Sequence, residues 1–370
     1  MDFTSPAPPI AWQSIRDANG MQVGHEIFNR SRTASTHTID SDLSLAHSVL
    51  SHLKPAALLD DGLLFLNTTY ESLRSPHLDL LPSDKVVLEI PSLGHAASSE
   101  VEARRPALAA LRDKGFALAF NHSVLDSAYA PWHDLVNYLK IDFSVLAAER
   151  AVLMIRWGRR IPGVTLIADK IESASQLQLA QENQVDLLQG YAVRRPEPVP
   201  ARVVLPTVRE ARALRAQLKA NAEPEALTQF LQAQPTLLFN LLRMAQSQEL
   251  SKRHIYTSLP QLLASLRAEQ LHAWSGMLDA VAQSNAPRPP DCIALYQEHA
   301  MALTAAAATA WPDVPHDSLV LIAHSLLLGK QLGLTLQQAV DQLLPPPLAT
   351  PVLALESQWQ DLLQTYTSPD

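Results

Sequence analysis

The chain has 370 residues, 47% of them hydrophobic and 18% charged, and a formal net charge of −8. No run reaches the 18 or more consecutive apolar residues of a membrane span, Met1-Asp2-Phe3-Thr4 lacks the basic start of a signal peptide, and Cys292 is the single cysteine, so the expectation is a cytoplasmic globular protein with no internal disulfide or thiolate metal cluster. Basic and acidic residues number 18 and 23 in residues 1–200 and 11 and 14 in 201–370, so neither half has the excess of Lys and Arg with which a nucleic-acid binder neutralises phosphates.

Along the first half, seven short apolar runs each end in a polar residue: Val23-Gly24-His25-Glu26, Leu63 to Asn67, Val86 to Glu89, Leu118 to Asn121-His122, Tyr138 to Asp142, Val164 to Asp169, and Leu187-Leu188-Gln189. Runs of this length read as strands buried on both faces, and the helical spacing between several of them predicts a parallel sheet, closed into an α/β barrel. In such a barrel the carboxyl ends of the strands converge on one mouth, so the polar tips are expected to face one another. One helix is predicted from about Ser144, with Arg156 to Arg160 complementing its dipole at the end. About 200 residues is short for a barrel, and only about forty separate Glu26 from Asn67, so truncated outer helices are expected.

At Arg195-Pro196-Glu197-Pro198-Val199-Pro200-Ala201-Arg202, alternating prolines predict a stiff extended connection, and the domain boundary is placed there: 1–200 and 201–370. Beyond it, Leu214, Leu218, Leu227, Phe230, Leu231, Leu237, Leu238, Leu241 and Leu242 recur at three- and four-residue spacing, which predicts an all-α bundle. His316-Asp317 follows Pro315, with Asp317-Ser318 expected as an N-cap, and Pro345-Pro346-Pro347 is expected to stop a helix before an amphipathic segment from Val352 to Leu363.

The order of the strand tips, from Pro9 to Pro196, resembles the EAL domain, the barrel phosphodiesterase of bacterial cyclic di-GMP signalling. His25-Glu26-Ile27 stands for its Glu-Ala-Leu, Asn67 for its metal-binding Asn and Glu89 for its second Glu; Leu139-Lys140-Ile141-Asp142 equals its LKID, Ala168 to Glu172 stands for AEGVE and Gln189-Gly190-Tyr191 is its QGY. Where active members have Asp-Asp-Phe-Gly and hold divalent metals with the aspartates, this chain has Asn121-His122-Ser123-Val124. Asp169 is one methylene shorter than the Glu of AEGVE. The resemblance therefore implies a vestigial site made of Glu26, Asn67, Glu89, Asn121, His122, Lys140, Asp169, Glu172 and Gln189, with no catalytic residue, no cofactor and no metal unless the site still takes Mg²⁺ or Mn²⁺. If cyclic di-GMP is still bound, Arg30, Glu26 and Gln189 are the expected contacts. Two further readings of the tips stay open: an ion-pair network in which Lys140 joins two carboxylates, and a Zn²⁺ or Mn²⁺ site made by His122 with Glu26 and Glu89.

In the second half, Gln234-Pro235-Thr236-Leu237-Leu238-Phe239-Asn240-Leu241-Leu242-Arg243-Met244-Ala245-Gln246-Ser247 resembles the HDOD signature, with Gln234 and Gln246 in place of Asp and Asn. The tandem is similar to YuxH-type bacterial signalling proteins. It implies a catalytically inactive adaptor that engages protein partners through the HDOD domain. The alternatives are a cyclic di-GMP receptor without turnover and a residual phosphodiesterase. His254, His272, His299 and His324 lack the spacing of a metal centre in the bundle.

Overall fold

A computed structural model describes residues 5–6, 10–29, 38–51, 62–93, 98–198, 202–246, 255–283 and 293–367. Eight strands close a barrel: β1 (Ile10–Asp17), β2 (Gln22–Asn29), β3 (Leu63–Asn67), β4 (Val86–Ile90), β5 (Ala117–Asn121), β6 (Tyr138–Asp142), β7 (Thr165–Asp169) and β8 (Leu187–Leu188). Strands β2 to β8 pair in parallel in chain order. The expected all-parallel sheet is corrected at one place. Strand β1 runs antiparallel to both neighbours, pairing Gln13 with Glu26 on one side and Arg16 with Leu188 on the other, and so shuts the barrel.

A tight turn makes the β1–β2 hairpin. Gly20 adopts φ 79°, and the Asp17 carboxylate accepts from the Asn19 and Met21 amides at 2.9 and 2.7 Å. Between strands lie α1 (Ile39–Ser51), α2 (Ser98–Asp113), α3 (Ala148–Gly158) and α4 (Ala174–Glu182). Helix α3 starts four residues later than expected, because Asp142 and the turn after it hold Ser144 outside the helix. The β3–β4 and β5–β6 crossovers contain only 3₁₀ turns, Ser72–Arg74 and Pro76–Leu80 in the first, His122–Leu125 and Ser127–Leu135 in the second. These short crossovers account for the small size of the barrel.

The described residues beyond 205 are mostly helical: α5 (Val208–Lys219), α6 (Pro224–Gln232), α7 (Pro235–Ala245), α8 (Leu259–Ser265), α9 (Ala268–Gln283), α10 (Ile293–Ala310), α11 (His316–Gln331), α12 (Leu336–Leu343), α13 (Pro346–Ala354) and α14 (Glu356–Thr367). Thr207 with Glu210 and Thr335 with Gln338 form reciprocal capping boxes that fix two of the starts. Helix α11 begins differently from expectation: Pro315 is its N-cap, without a side-chain cap bond, and Asp317-Ser318 lie inside the first turn. The prolines at 345–347 end α12 and also open α13, because a proline ring presets φ for a first helical turn. The predicted Val352–Leu363 segment is accordingly split between α13 and α14.

The two halves share one hydrophobic cluster, which runs from Ile27 and Leu78 of the barrel to Trp274, Met277 and Leu363 of the helices. Helix α9 packs on α1 and on the Pro76–Leu80 turn, covering the flank where the β3–β4 crossover supplies no α-helix. Helix α7 is buried along its whole length. Its Asn240 accepts at Oδ1 from His47 Nε2 at 2.9 Å and donates through Nδ2 to the Val204 and Thr236 carbonyls, both at 2.8 Å. Burial pushes the His47 pKa down to about 4, so this joint is uncharged at neutral pH. The described parts of the connection are extended and paired: Glu197–Pro198 with β1 and Arg202–Val203 with Ser5–Pro6.

Since the barrel's outer layer is completed by α9, residues 1–205 expressed alone should expose that flank. Loss of cooperative thermal unfolding and binding of a hydrophobic dye, measured against the full chain, are the expected results.

Candidate functional site

The barrel interior explains why the tips meet. Ile15, Phe65, Val87, Ala119, Ile167 and Leu187 form an internal apolar plug, with Tyr138 packed on it. Side chains on a strand alternate faces, so the residues two positions further toward the mouth also point inward. These are Asn67, Glu89, Asn121, Lys140, Asp169 and Gln189, and from antiparallel β1 comes Gln13, paired with Glu26. Together they line an open cavity of about 460 Å³ whose rim carries Phe28, Pro91, Asp142, Lys170, Glu172 and Tyr191.

At the floor of the cavity Lys140 is buried, and its Nζ donates to Glu26 Oε2 at 2.7 Å and to both Glu89 oxygens at 2.8 and 3.0 Å, with Asp169 Oδ2 at 3.7 Å. Glu26 also accepts from Asn67 Nδ2 at 2.7 Å and from Gln189 Nε2 at 2.6 Å. Gln189 is held in turn by Gln13 at 3.3 Å. The adjoining loop is anchored outward: Thr68 Oγ1 donates to the Glu89 carbonyl at 2.7 Å, and Thr69 donates through its amide and hydroxyl to Asp42 of α1 at 2.8 and 2.9 Å. Gly190 adopts φ 144°, and a Cβ there would stand 2.2 Å from the Ile171 amide nitrogen, so only glycine lets the loops after β7 and β8 touch.

Three carboxylates around one ammonium cannot all be comfortably charged. Burial works against the charge of Glu26, but the charge of Lys140 and the bonds from Lys140, Gln189 and Asn67 outweigh it and hold the carboxyl below its usual range. For Glu89, burial, reinforced by the charge of Glu26, prevails over Lys140 and pushes the pKa up to about 8. Burial likewise raises Asp169. Lys140 is disfavoured by burial, yet the carboxyl groups of Glu26, Glu89 and Asp169 raise it well above the ordinary lysine value. The cluster thus keeps Lys140 charged and pushes Glu89 toward its protonated form.

Not every residue singled out from the sequence joins this cluster. Asn121 lines the cavity, but its Oδ1 is turned back to cap the Ser123 amide at 3.0 Å. His122, one position further, does not line the cavity; its ring faces the Asp142 amide, and burial lowers its pKa. That placement removes it from Glu26 and Glu89 as a shared transition-metal ligand. Glu172 stands exposed at the rim, and Arg30 lies outside the described residues. The sequence reading missed Gln13, which its two-residue spacing from inward-facing Ile15 places at the mouth, and Lys170. The latter is a non-glycine residue at φ 55° whose Nζ pairs with Asp142 at 2.6 Å, and that pair holds the Asp142 carboxyl below its usual range against burial.

Two divalent ions held about 3.5 to 4 Å apart need shared anionic oxygens. Here the oxygens of Glu26 and Glu89 are taken up by Lys140, and positions 121 and 122 offer a neutral amide and an imidazole aimed elsewhere. Among the described residues no group of three or more His, Cys, Asp and Glu side chains is arranged to hold a metal ion. This donor set does not fit a metal pair. Among the described residues of the helical half there is none either: His316 and His272 are exposed, and buried His324 bonds Tyr296 at 2.6 Å, while His254 lies outside the described residues. Among the described residues no helix is long and apolar enough to cross a membrane.

No protein-family model matches the chain. It is 24% identical over 204 residues to the cyclic di-GMP phosphodiesterase CdgJ of Vibrio cholerae, a match covering 53% of this chain and 46% of that protein. The chain therefore matches less than half the length of this curated relative. Solved structures similar to it include the PaMucR phosphodiesterase in complex with c-di-GMP (TM-score 0.40, 18% identity, 51% of this chain and 92% of that one). Two others are the EAL domain of Mycobacterium smegmatis DcpA (0.41, 16%, 52% and 92%) and the Bacillus subtilis YkuI protein (0.40, 21%, 51% and 55%).

The raised pKa of Glu89 has a consequence for stability. A folded pKa raised from 4.5 to about 8 means that the contribution of Glu89 is complete below its unfolded pKa and is lost as pH rises toward 8. The lowered pKa of Glu26 acts only on the acid side. Urea unfolding is therefore expected to show stability falling between pH 5 and 8, with a slope of up to about 1.4 kcal/mol per pH unit, and Glu89→Gln should flatten that slope.

Proposed function

We propose that the chain is a catalytically inactive EAL–HDOD signalling protein of the cyclic di-GMP type, with a degenerate EAL domain at 1–200 and an HDOD domain at 201–370, working in the cytoplasm as an adaptor for protein partners. The observation that carries this reading is the Lys140 ammonium seated on Glu26 and Glu89 at 2.7 and 2.8 Å in a mouth where Asn121 and His122 supply no carboxylate. Cleavage of a phosphodiester by paired metals needs those anions to balance the metal charge and to lower the pKa of the attacking water. The likeness to CdgJ supports the cyclic di-GMP connection, and that protein's name as a phosphodiesterase is what the proposal must answer.

The remaining carboxylates are explained as parts of an ion-pair network, which needs no turnover to be kept. Removing one member of a buried pair costs about 3–5 kcal/mol, so such a network resists change even when chemistry is gone. The wholly buried α7 and the extensive joint with the barrel suit a module whose output is a surface.

The purified full chain incubated with cyclic di-GMP and Mg²⁺ or Mn²⁺ should yield no linear dinucleotide. Product that grows with protein concentration, and that vanishes with EDTA and in Glu26→Gln, would establish a phosphodiesterase instead.

A further inference from the structure

We propose that the outward face of α3 docks an acidic segment of a partner protein, one that sets an apolar side chain between carboxylates; this goes beyond the adaptor reading, in which partners meet the HDOD half. A purely structural role for Arg156 to Arg160 would have these arginines cap the end of α3. In the structure Arg159 caps a different helix, donating to the Asn183 and Gln184 carbonyls just past α4 at 2.7 and 2.6 Å. Arg156 and Arg160, with Arg150 one helix length earlier, are exposed and hold no side-chain hydrogen bond or ion pair among the described residues. Their counterparts around α2 are paired: Arg104 with Glu100, Arg105 with Asp134 and Lys114 with Asp79.

The helix is seated from its inner side. Ala151, Met154, Ile155 and Gly158 are buried, and a Cβ on Gly158 would stand 2.5 Å from Leu139 Cδ2 and 2.9 Å from Leu166 Cδ2, so the glycine lets the helix end press on β6 and β7. That seating turns Trp157 outward. Leu153 and Trp157, one turn apart, are 39% and 40% exposed and form an apolar ridge where the outer face of a surface helix is ordinarily polar. Arg150 and Arg156 stand one turn on either side of Leu153, and Arg160 lies one turn past Trp157. An exposed tryptophan beside arginines is the side-chain set that anchors protein interfaces, the ring through its area and the guanidinium through paired bonds to carboxylate. The complement of this face is one apolar group with carboxylates around it. An anionic bilayer fits less well, because Glu149 shares the face and the net charge of −8 opposes a negatively charged plane.

The test is fluorescence anisotropy of the full chain with the labelled peptide Glu-Asp-Leu-Glu-Leu-Leu-Asp-Glu and with its analogue carrying Gln and Asn in place of the acids, at low and high salt. The acidic peptide should bind saturably and more weakly in salt, and the amide analogue about tenfold less tightly or worse. Trp157→Ala should weaken the acidic peptide about tenfold, and Arg156→Gln combined with Arg160→Gln several-fold. Arg212→Gln, exposed on α5, should change nothing. If Trp157→Ala shifts the melting temperature, the arginine pair decides. No saturable binding, equal binding of the amide analogue, or a loss in Arg212→Gln equal to that of the arginine pair overturns the proposal. Phosphatidylglycerol vesicles that bind the parent but not Trp157→Ala, and that displace the peptide, overturn it in favour of a membrane. A dimer in sedimentation that Trp157→Ala makes monomeric overturns it in favour of a second copy. None of these results bears on turnover of cyclic di-GMP, so the adaptor reading stands or falls on its own assay.

Discussion

One buried ammonium holds the mouth of this barrel together. Lys140 reaches from the centre of β6 to carboxylates on β2 and β4 and lies near a third on β7, so four strands that are far apart in sequence depend on a single charge. The arrangement is self-sufficient. Glu26 is favoured as an anion, burial pushes Glu89 toward its acid form, and the amides of Asn67 and Gln189 use up remaining lone pairs of Glu26. Where a metalloenzyme's mouth would need ions to offset its acids, here the chain offsets part of them with its own side chains.

Much of this was legible because strand geometry is strict. The period of two that buries Phe65, Val87 and Ile167 also forces Asn67, Glu89 and Asp169 inward, and the order of the tips around the barrel follows chain order. What stayed hidden has physical reasons. Strand β1 breaks its apolar run with Gln13-Ser14 and runs antiparallel, so it does not share the continuous apolar pattern of the others. His122 was grouped with Asn121 by adjacency, yet adjacent positions point to opposite faces, and only the fold shows that it leaves the cavity. Lys170 carries no periodic signal at all, since its place at the rim comes from a left-handed turn. In the helical half, the spacing of Leu214, Leu218, Leu237 and Leu241 gave the bundle, while the start of α11 at Pro315 was beyond a reading that looked for a polar cap.

The joint between the halves follows from the same economy of length. With 3₁₀ turns in place of a helix after β3, the barrel leaves a flank that α9 covers, and α1 becomes shared property: Asp42 ties it to the loop beside Asn67, and His47 ties it to Asn240 of α7. Any group that settles in the mouth therefore acts on strands and loops continuous with the helical half.

The central claim is that the acids of the mouth are offset from within, and manganese binding tests it most directly. Titration of the full chain with Mn²⁺, followed by electron paramagnetic resonance, should leave the free-ion signal undiminished in the range where binuclear sites saturate. Uptake of two ions per chain, with the spin-coupled spectrum of a shared-oxygen pair, would contradict the account.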